Sequence, residues 1–363
     1  MTASDVSPPR IQELLALSET LIRQTALPIL SRGYAELVAS FRQSAPLADV
    51  ARRDGIDAVL TSEDPIIEVL YKKNKELATG AEKAAEAAIG TEVLKVPQCA
   101  ILGEELGERV REGAETESTI YFVLDPVDGT TSMARWAVAQ AFELSFPDSV
   151  PAFGITIGLL DIARGEAVGG VVAQLEPHSD GNGLSVSHVW TGGEGMPAMR
   201  DNEIVLAAAP AQLSGATLST TVPEAMFHDE KEWRDFQALH EATRRFVPGQ
   251  NCIGFMHLLE DRSEATVVFE RDLLIPDTAA LAPILAAGGV RVTDIAGEPL
   301  KFGQEQVRSY VGSSPYEYVV LAAHPLLHDA AVRRIQAGPT LPSTFGQWQQ
   351  EATGVDVRKT VRG

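Results

Sequence analysis

The run Asp125-Pro126-Val127-Asp128-Gly129-Thr130-Thr131 sets two carboxylates three residues apart at the end of an apolar stretch, Ile120-Tyr121-Phe122-Val123-Leu124. The apolar stretch reads as a strand, and the Gly-Thr-Thr after it as the opening of a helix. Two carboxylates beside a helix N-terminus suit a metal-assisted phosphate site. The acids hold a hard cation such as Mg²⁺, while free backbone N–H groups and hydroxyls receive phosphate oxygens. Pro, Asp and Gly are also ordinary turn residues, so the run takes its meaning from acids elsewhere in the chain.

Three such acids stand out. Gly103-Glu104-Glu105 follows the apolar Ala100-Ile101-Leu102, so a strand end presents at least one carboxylate. Asp277 directly precedes the apolar helical stretch Thr278–Ala287, and Glu82 lies three residues after Thr79. Each has a plainer reading beside the chemical one. Thr79 and Glu82 have the spacing of a capping box for an Ala-rich helix over 79–90. Glu104 begins an acidic stretch that continues through Glu108, Glu112, Glu115 and Glu117, and Asp277 suits a helix N-cap. All the donors are oxygens, a set that matches Mg²⁺ rather than Zn²⁺.

Together these blocks resemble the inositol monophosphatase superfamily of Mg²⁺-dependent, lithium-sensitive phosphomonoesterases. The resemblance covers most of residues 60–325. It rests on Thr79-x-x-Glu82, Gly103-Glu104-Glu105, the Asp125–Thr131 run, and Asp277-Thr-Ala-Ala with Gly288-Gly289 and Thr293-Asp294 behind it. It implies a layered αβαβα sandwich, of α/β class with an α+β N-terminal half, and two or three Mg²⁺ ions. Glu104, Asp125 and the Val127 carbonyl would hold the first ion. Asp125, Asp128 and Asp277 would hold the second, and Glu104 would also touch a third, weaker one. Thr130, supported by Glu82 and Thr79, would orient or deprotonate the attacking water. The N–H groups of Gly129 and Thr130 would receive the phosphate, and Glu270 would contact substrate hydroxyls. A homodimer is the implied assembly.

The chain also departs from the family pattern. The family usually has Asp where this chain has Glu82, and Trp where it has Pro276. The segment between Phe142 and Pro151 is longer than usual. The Glu270–Asp277 stretch looks closest to the histidinol-phosphatase-like branch, whose Gly-Gly-Asp setting reads Gly249-Gln250-Asn251-Cys252 here. A neutral Asn251 weakens the case for an amine-bearing substrate. The expected substrate is therefore a small phosphomonoester of inositol, polyol or sugar type. Histidinol phosphate, 3′-phosphoadenosine 5′-phosphate and fructose 1,6-bisphosphate are alternatives. A metal- or ligand-binding regulatory module without turnover is the alternative of another class.

These residues must be positioned by a chain of 363 residues, 45% hydrophobic, with a formal net charge of −20. That length fits about two domains at roughly 150 residues each. The expected division is 1–200, carrying most of the ligands, 201–337, carrying Asp277, and a flexible tail over 338–363. The negative charge argues against a broad electrostatic surface for nucleic acid or anionic membrane. With two cysteines in no short motif, no basic-then-apolar leader and no long apolar span, the reading is a cytoplasmic protein with free thiols. Helical periodicity marks residues 11–22, 34–41, 232–243 and 253–259. Strands are expected over 153–160, 167–173, 186–191, 204–208, 265–269 and 290–293. Gly288-Gly289 is a natural helix stop. His324 and His328 have the spacing of a helical metal pair but no carboxylate motif nearby, so surface or capping roles are expected. Lys72 and Lys73 carry no assigned role.

Overall fold

The computed structural model describes all residues except 1–5, 62–63, 112–119, 147–150, 209–211, 222, 249–250, 261–265, 313–316 and 342–363. The described part of the tail ends at Leu341.

The N-terminal part is helical. It comprises α1 (Pro8–Leu21), a five-residue π segment (Ile22–Ala26), α2 (Leu27–Arg42), α3 (Ala45–Asp54), α4 (Ile56–Leu60) and α5 (Pro65–Val93). The large sheet is built from β1 (Cys99–Gly103), β2 (Gly107–Arg109) and β3 (Ile120–Asp128). After α6 (Thr130–Phe142) it continues with β4 (Gly154–Asp161), β5 (Glu166–Pro177), β6 (Leu184–Gly193), β7 (Met196–Arg200) and β8 (Glu203–Ile204). Its spatial order is β2-β1-β3-β4-β5-β6-β7-β8, with β1 parallel to β3 and the other neighbours antiparallel.

The chain then enters a second sheet through β9 (Thr217–Thr220). There follow α7 (Pro223–Met226), α8 (Glu230–Ala242), β10 (Arg245–Pro248), α9 (Asn251–Met256), β11 (Val267–Leu273), α10 (Ile275–Ala279) and α11 (Leu281–Ala287). The last elements are β12 (Arg291–Thr293), α12 (Gln304–Val311), β13 (Tyr318–Ala323) and α13 (Pro325–Ala337). The spatial order of this sheet is β10-β9-β11-β13-β12.

Side-chain alternation along the strands sorts the molecule into five layers. Ile101, Phe122 and Leu124 point to one face, where they meet α1, α2, α5 and α6. Ala100, Leu102, Tyr121 and Val123 point to the other, against Ile253 of α9, Ala279 of α10 and Ile284 of α11. Val268, Val320 and Ala322 of the second sheet close that middle core. The far face of the second sheet, with Leu218, Phe269 and Leu321, is covered by Trp233 and Phe236 of α8 and Leu327 of α13. The result is an αβαβα sandwich. Strands covered on both faces read as continuous apolar runs, as β3 does.

The one large departure from expectation is at Thr79. The helix does not begin there but at Pro65, so Thr79 and Glu82 lie inside α5 and form no capping box. Thr79-Gly80 looks like a break, yet a mid-helix glycine costs only about 1 kcal/mol. Packing outweighs it: a Cβ on Gly33 of α2 would stand 2.3 Å from the Ala81 Cβ, so the two helices approach closely. The strand expected over 204–208 stops at Ile204, where single amides of Val205 and Ala207 bond Ala198 and Gly288 instead. His328 is not on the surface. It is buried, with Nε2 2.7 Å from Thr293 Oγ1, while His324 caps the Leu326 amide of α13. Gly288-Gly289 ends α11 as expected, with Gly289 at φ +84°.

Candidate active site

β3, an interior strand of the large sheet, carries Asp125 and Asp128 at its C-terminal end. Pairing with β4 shifts register between them, and this bulge lets both acids reach one place although they are three residues apart. Asp125 is buried, and one of its oxygens accepts from the Val127 amide at 2.8 Å. α10 brings Asp277 from the other side. It sits in the first turn rather than at the N-cap, and its carboxylate accepts from the Leu274 amide at 2.6 Å. Asp125, Asp128 and Asp277 each offer an oxygen within 4.8 Å of the others.

Glu104 leaves the end of β1, and its carboxyl hydrogen-bonds that of Asp125. The residue as a whole is exposed, but its carboxyl end points into the acid group. Burial raises the pKa of all four acids. For Asp125 and Asp277, whose values lie well above the usual range, the Glu104 charge is the next cause. Hydrogen bonds from the Cys252 thiol and amide oppose the rise at Asp128. Burial hinders all four carboxyls from ionising, and neighbouring acids add to this at Glu104, Asp125 and Asp277, a strain that a divalent cation would relieve. The donor set is all oxygen, which fits Mg²⁺.

Gly129 joins β3 to α6 at φ +96°, a backbone region that side chains disfavour. A Cβ there would also stand 2.6 Å from the Ala152 carbonyl and from Asn251 Nδ2. The turn opens α6 at Thr130, and first-turn amides of a helix lack intrahelical acceptors. Thr130 Oγ1 lies 3.2 Å from Glu82 Oε1 and 3.1 Å from the Val127 carbonyl. Glu82 is buried. Removal from water, followed by the charges of Glu105 and Glu104, pushes its pKa up to about 8. Thr79 is half-buried one turn earlier on α5.

Glu270, on β11, is buried too, and both its oxygens accept from the Thr221 amide, at 3.0 and 2.9 Å. Burial pushes its pKa up to about 7. Beyond it β11 bulges between Glu270 and Leu273, with Asp272 at φ +55° held by His228 at 2.6 Å. Pro276 is buried in the first turn of α10. The side chains of Lys72 and Lys73, and Gly249 and Gln250, lie outside the described residues.

Three contributors were not read from the sequence. Glu86, one turn after Glu82 and fully buried, accepts from the amides of Glu105 and Leu106 at 2.8 and 2.9 Å. It occupies the space a Gly103 side chain would need, so it shapes the turn that presents Glu104. The Glu82-x-x-x-Glu86 spacing, which puts both acids on one helix face, was the available signal. Thr221 holds Glu270, and the Cys252 amide donates to Asp128 Oδ2. Neither pairing has a local signature, since the partners are far apart in sequence.

Comparison with known proteins identifies relatives over most of the chain. The model of the inositol monophosphatase family matches residues 35–335. An inositol-1-monophosphatase from Rhizobium meliloti (strain 1021) is 26% identical over 244 residues, 65% of this chain and 80% of that protein. The Nus factor SuhB of Salmonella typhimurium (strain LT2) is 36% identical over 87 residues. That match is 23% of this chain and spans 31% of the length of SuhB. Among solved structures, an inositol monophosphatase from Zymomonas mobilis superposes with a TM-score of 0.54 at 23% identity, covering 82% of this chain and 98% of that one. The chain belongs to the inositol monophosphatase family.

Proposed function

We propose that this protein is a Mg²⁺-dependent phosphatase that hydrolyses a small phosphomonoester by attack of water. The observation that carries the reading is the convergence of Asp125, Asp128 and Asp277 within 4.8 Å, next to the start of α6. Glu104, Asp125 and the Val127 carbonyl are the residues that would hold one ion, and Asp125, Asp128 and Asp277 a second, with Glu104 shared by a weaker third. When bound, Mg²⁺ supplies Lewis acidity and neutralises charge on the phosphate.

The protein's own groups have distinct tasks. The N–H groups of Gly129 and Thr130 face phosphate oxygens at the positive end of α6. Thr130 Oγ1, held against Glu82, orients the water and takes its proton, which Glu82 accepts. Glu82 can accept only in its ionised form, which burial and the Glu105 and Glu104 charges disfavour, so the step should gain as pH rises toward 8. Thr79 supports Glu82 from the preceding turn of α5. Glu270 fixes the Thr220–Thr221 strand end that borders the substrate side and sets recognition of its hydroxyls. The substrate class is an inositol, polyol or sugar phosphate, in keeping with the inositol-1-monophosphatase relative. The reading includes a homodimer working in the cytoplasm. Among the described residues no helix is long and apolar enough to cross a membrane.

The test is phosphate release from a panel of small phosphomonoesters, with and without Mg²⁺, beside Asp128→Asn. Turnover that needs Mg²⁺ and disappears in the variant is the expected result. Mg²⁺ binding with no release from any substrate would favour a regulatory module without turnover. Full activity in Asp128→Asn would remove the metal mechanism.

A further inference from the structure

Glu104 sits in the turn of the β1–β2 hairpin, at the edge of the large sheet. Its amide donates to the Leu124 carbonyl at 3.0 Å, beside Asp125. β2 is three residues long and pairs with β1 alone, so strand pairing by itself holds this edge weakly. The hairpin is fixed instead by α5, on which Glu82, Glu86 and Gly90 are spaced four apart along one face. Glu86 accepts from the turn amides of Glu105 and Leu106 at 2.8 and 2.9 Å. Gly90 receives the guanidinium of Arg109, the last residue of β2. A Cβ on Gly90 would stand 2.1 Å from Arg109 Nη2 and 2.6 Å from its Cζ. From that seat Nη2 donates to the Glu86 carbonyl at 2.9 Å. The Nε is buried and meets no acceptor among the described residues. An unmet donor costs stability, so stability alone explains this contact poorly.

We propose that Arg109 is a positioning residue for Glu104, tying the hairpin turn to the helix that carries Glu82, and that Gly90 is the seat this tie requires. The tie acts on Glu104 and not on the three aspartates, since Asp125 and Asp128 lie on β3 and Asp277 on α10. Without it the turn is free to shift against α5. The cation shared by Glu104 should then weaken, while the cation held among the aspartates should not. Partners that orient a metal-binding group typically change affinity by about 10- to 100-fold when lost. The proposal rests on the metal-dependent reading above.

The experiment follows Mn²⁺, as a stand-in for Mg²⁺, by the EPR signal of free ion in titrations of the full chain without substrate. Glu104→Gln first marks the binding step that depends on Glu104. Arg109→Met, which keeps the stem and loses the guanidinium, should weaken that same step by about tenfold and leave the remaining binding at wild-type affinity. Gly90→Ala keeps the guanidinium but fills its seat, and should reproduce the loss even though alanine favours the helix. Arg109→Lys, which can still donate to the Glu86 carbonyl, should lie between wild type and Arg109→Met. A wild-type titration in Arg109→Met or in Gly90→Ala would overturn the tie while leaving the metal mechanism standing. So would an equal weakening of every step, the mark of a general structural loss. A wild-type titration in Glu104→Gln would overturn the tie together with the role of Glu104. Absence of Mn²⁺ binding by the wild type would overturn both the tie and the metal mechanism.

Discussion

Replacing Asp277 by asparagine should make the metal-free protein more stable, although it removes a charged group from the centre of the site. The three aspartates offer oxygens within 4.8 Å of one another, and at an effective dielectric constant of about 20 each ionised pair at that distance repels by about 3.5 kcal/mol. Asp277 takes part in two such pairs. The acids relieve part of this by keeping protons, as their raised pKa values show. The realised gain near neutral pH is then about 1–3 kcal/mol, a fraction of the unscreened repulsion. Asparagine keeps an oxygen for the Leu274 amide, so the bond that starts α10 survives. With an unfolding entropy of about 2.1 cal/mol/K per residue over 363 residues, each kcal/mol moves Tm by about 1.3 °C. Melting in EDTA should therefore rise by about 1–4 °C, more at pH 8 than at pH 6, because more of the acids are ionised at the higher pH. Saturating Mg²⁺ should reverse the order, stabilising wild type and leaving the variant little changed. A variant that melts lower than wild type in EDTA at both pH values, or gains as much from Mg²⁺, would refute the reasoning.

Other consequences can be checked alongside. Thr130→Val removes the hydroxyl between Glu82 and Val127 and should lower kcat by about 10²- to 10⁴-fold in the phosphate-release assay, with Mn²⁺ binding unchanged. Glu86→Ala strands the Glu105 and Leu106 amides and should cost about 1–3 kcal/mol in urea unfolding. It should also weaken metal binding, whereas Glu86→Gln, which keeps an acceptor, loses less on both measures. The metal-free protein should lose stability as pH rises, because the unfolded chain gives up the Glu82 proton near ~4.3 while the fold retains it to about 8. The slope from this group is at most about 1.4 kcal/mol per pH unit, and Glu82→Gln should flatten it in urea melts run from pH 5 to 8 in EDTA.

Much of the site was legible because its strongest signals are local. A strand feeding Asp-Pro-Val-Asp-Gly-Thr-Thr carries two of the clustered acids and a helix start within one short run. The left-handed turn there requires a residue such as Gly129, whose φ is set by neighbours on either side. Hydrophobic runs marked most strands and helices for the same reason, since burial on two faces is written into consecutive residues. What the sequence could not show is where distant pieces meet. Thr79 lies inside α5 because Gly33 lets α2 close on Ala81, and that packing overrides the local break at Gly80. Asp277 reaches Asp125 and Asp128 only through the layering of α10 against the large sheet. Glu86 under Glu104, Thr221 on Glu270 and Cys252 on Asp128 are pairings made through space by groups far apart in the chain. The sequence by itself therefore determined the class of chemistry and named three of the acids that the fold gathers, because those depend on residue type and short spacing. Only the tertiary structure decided how each ligand is held, because hydrogen-bond partners of buried acids are chosen by packing between layers.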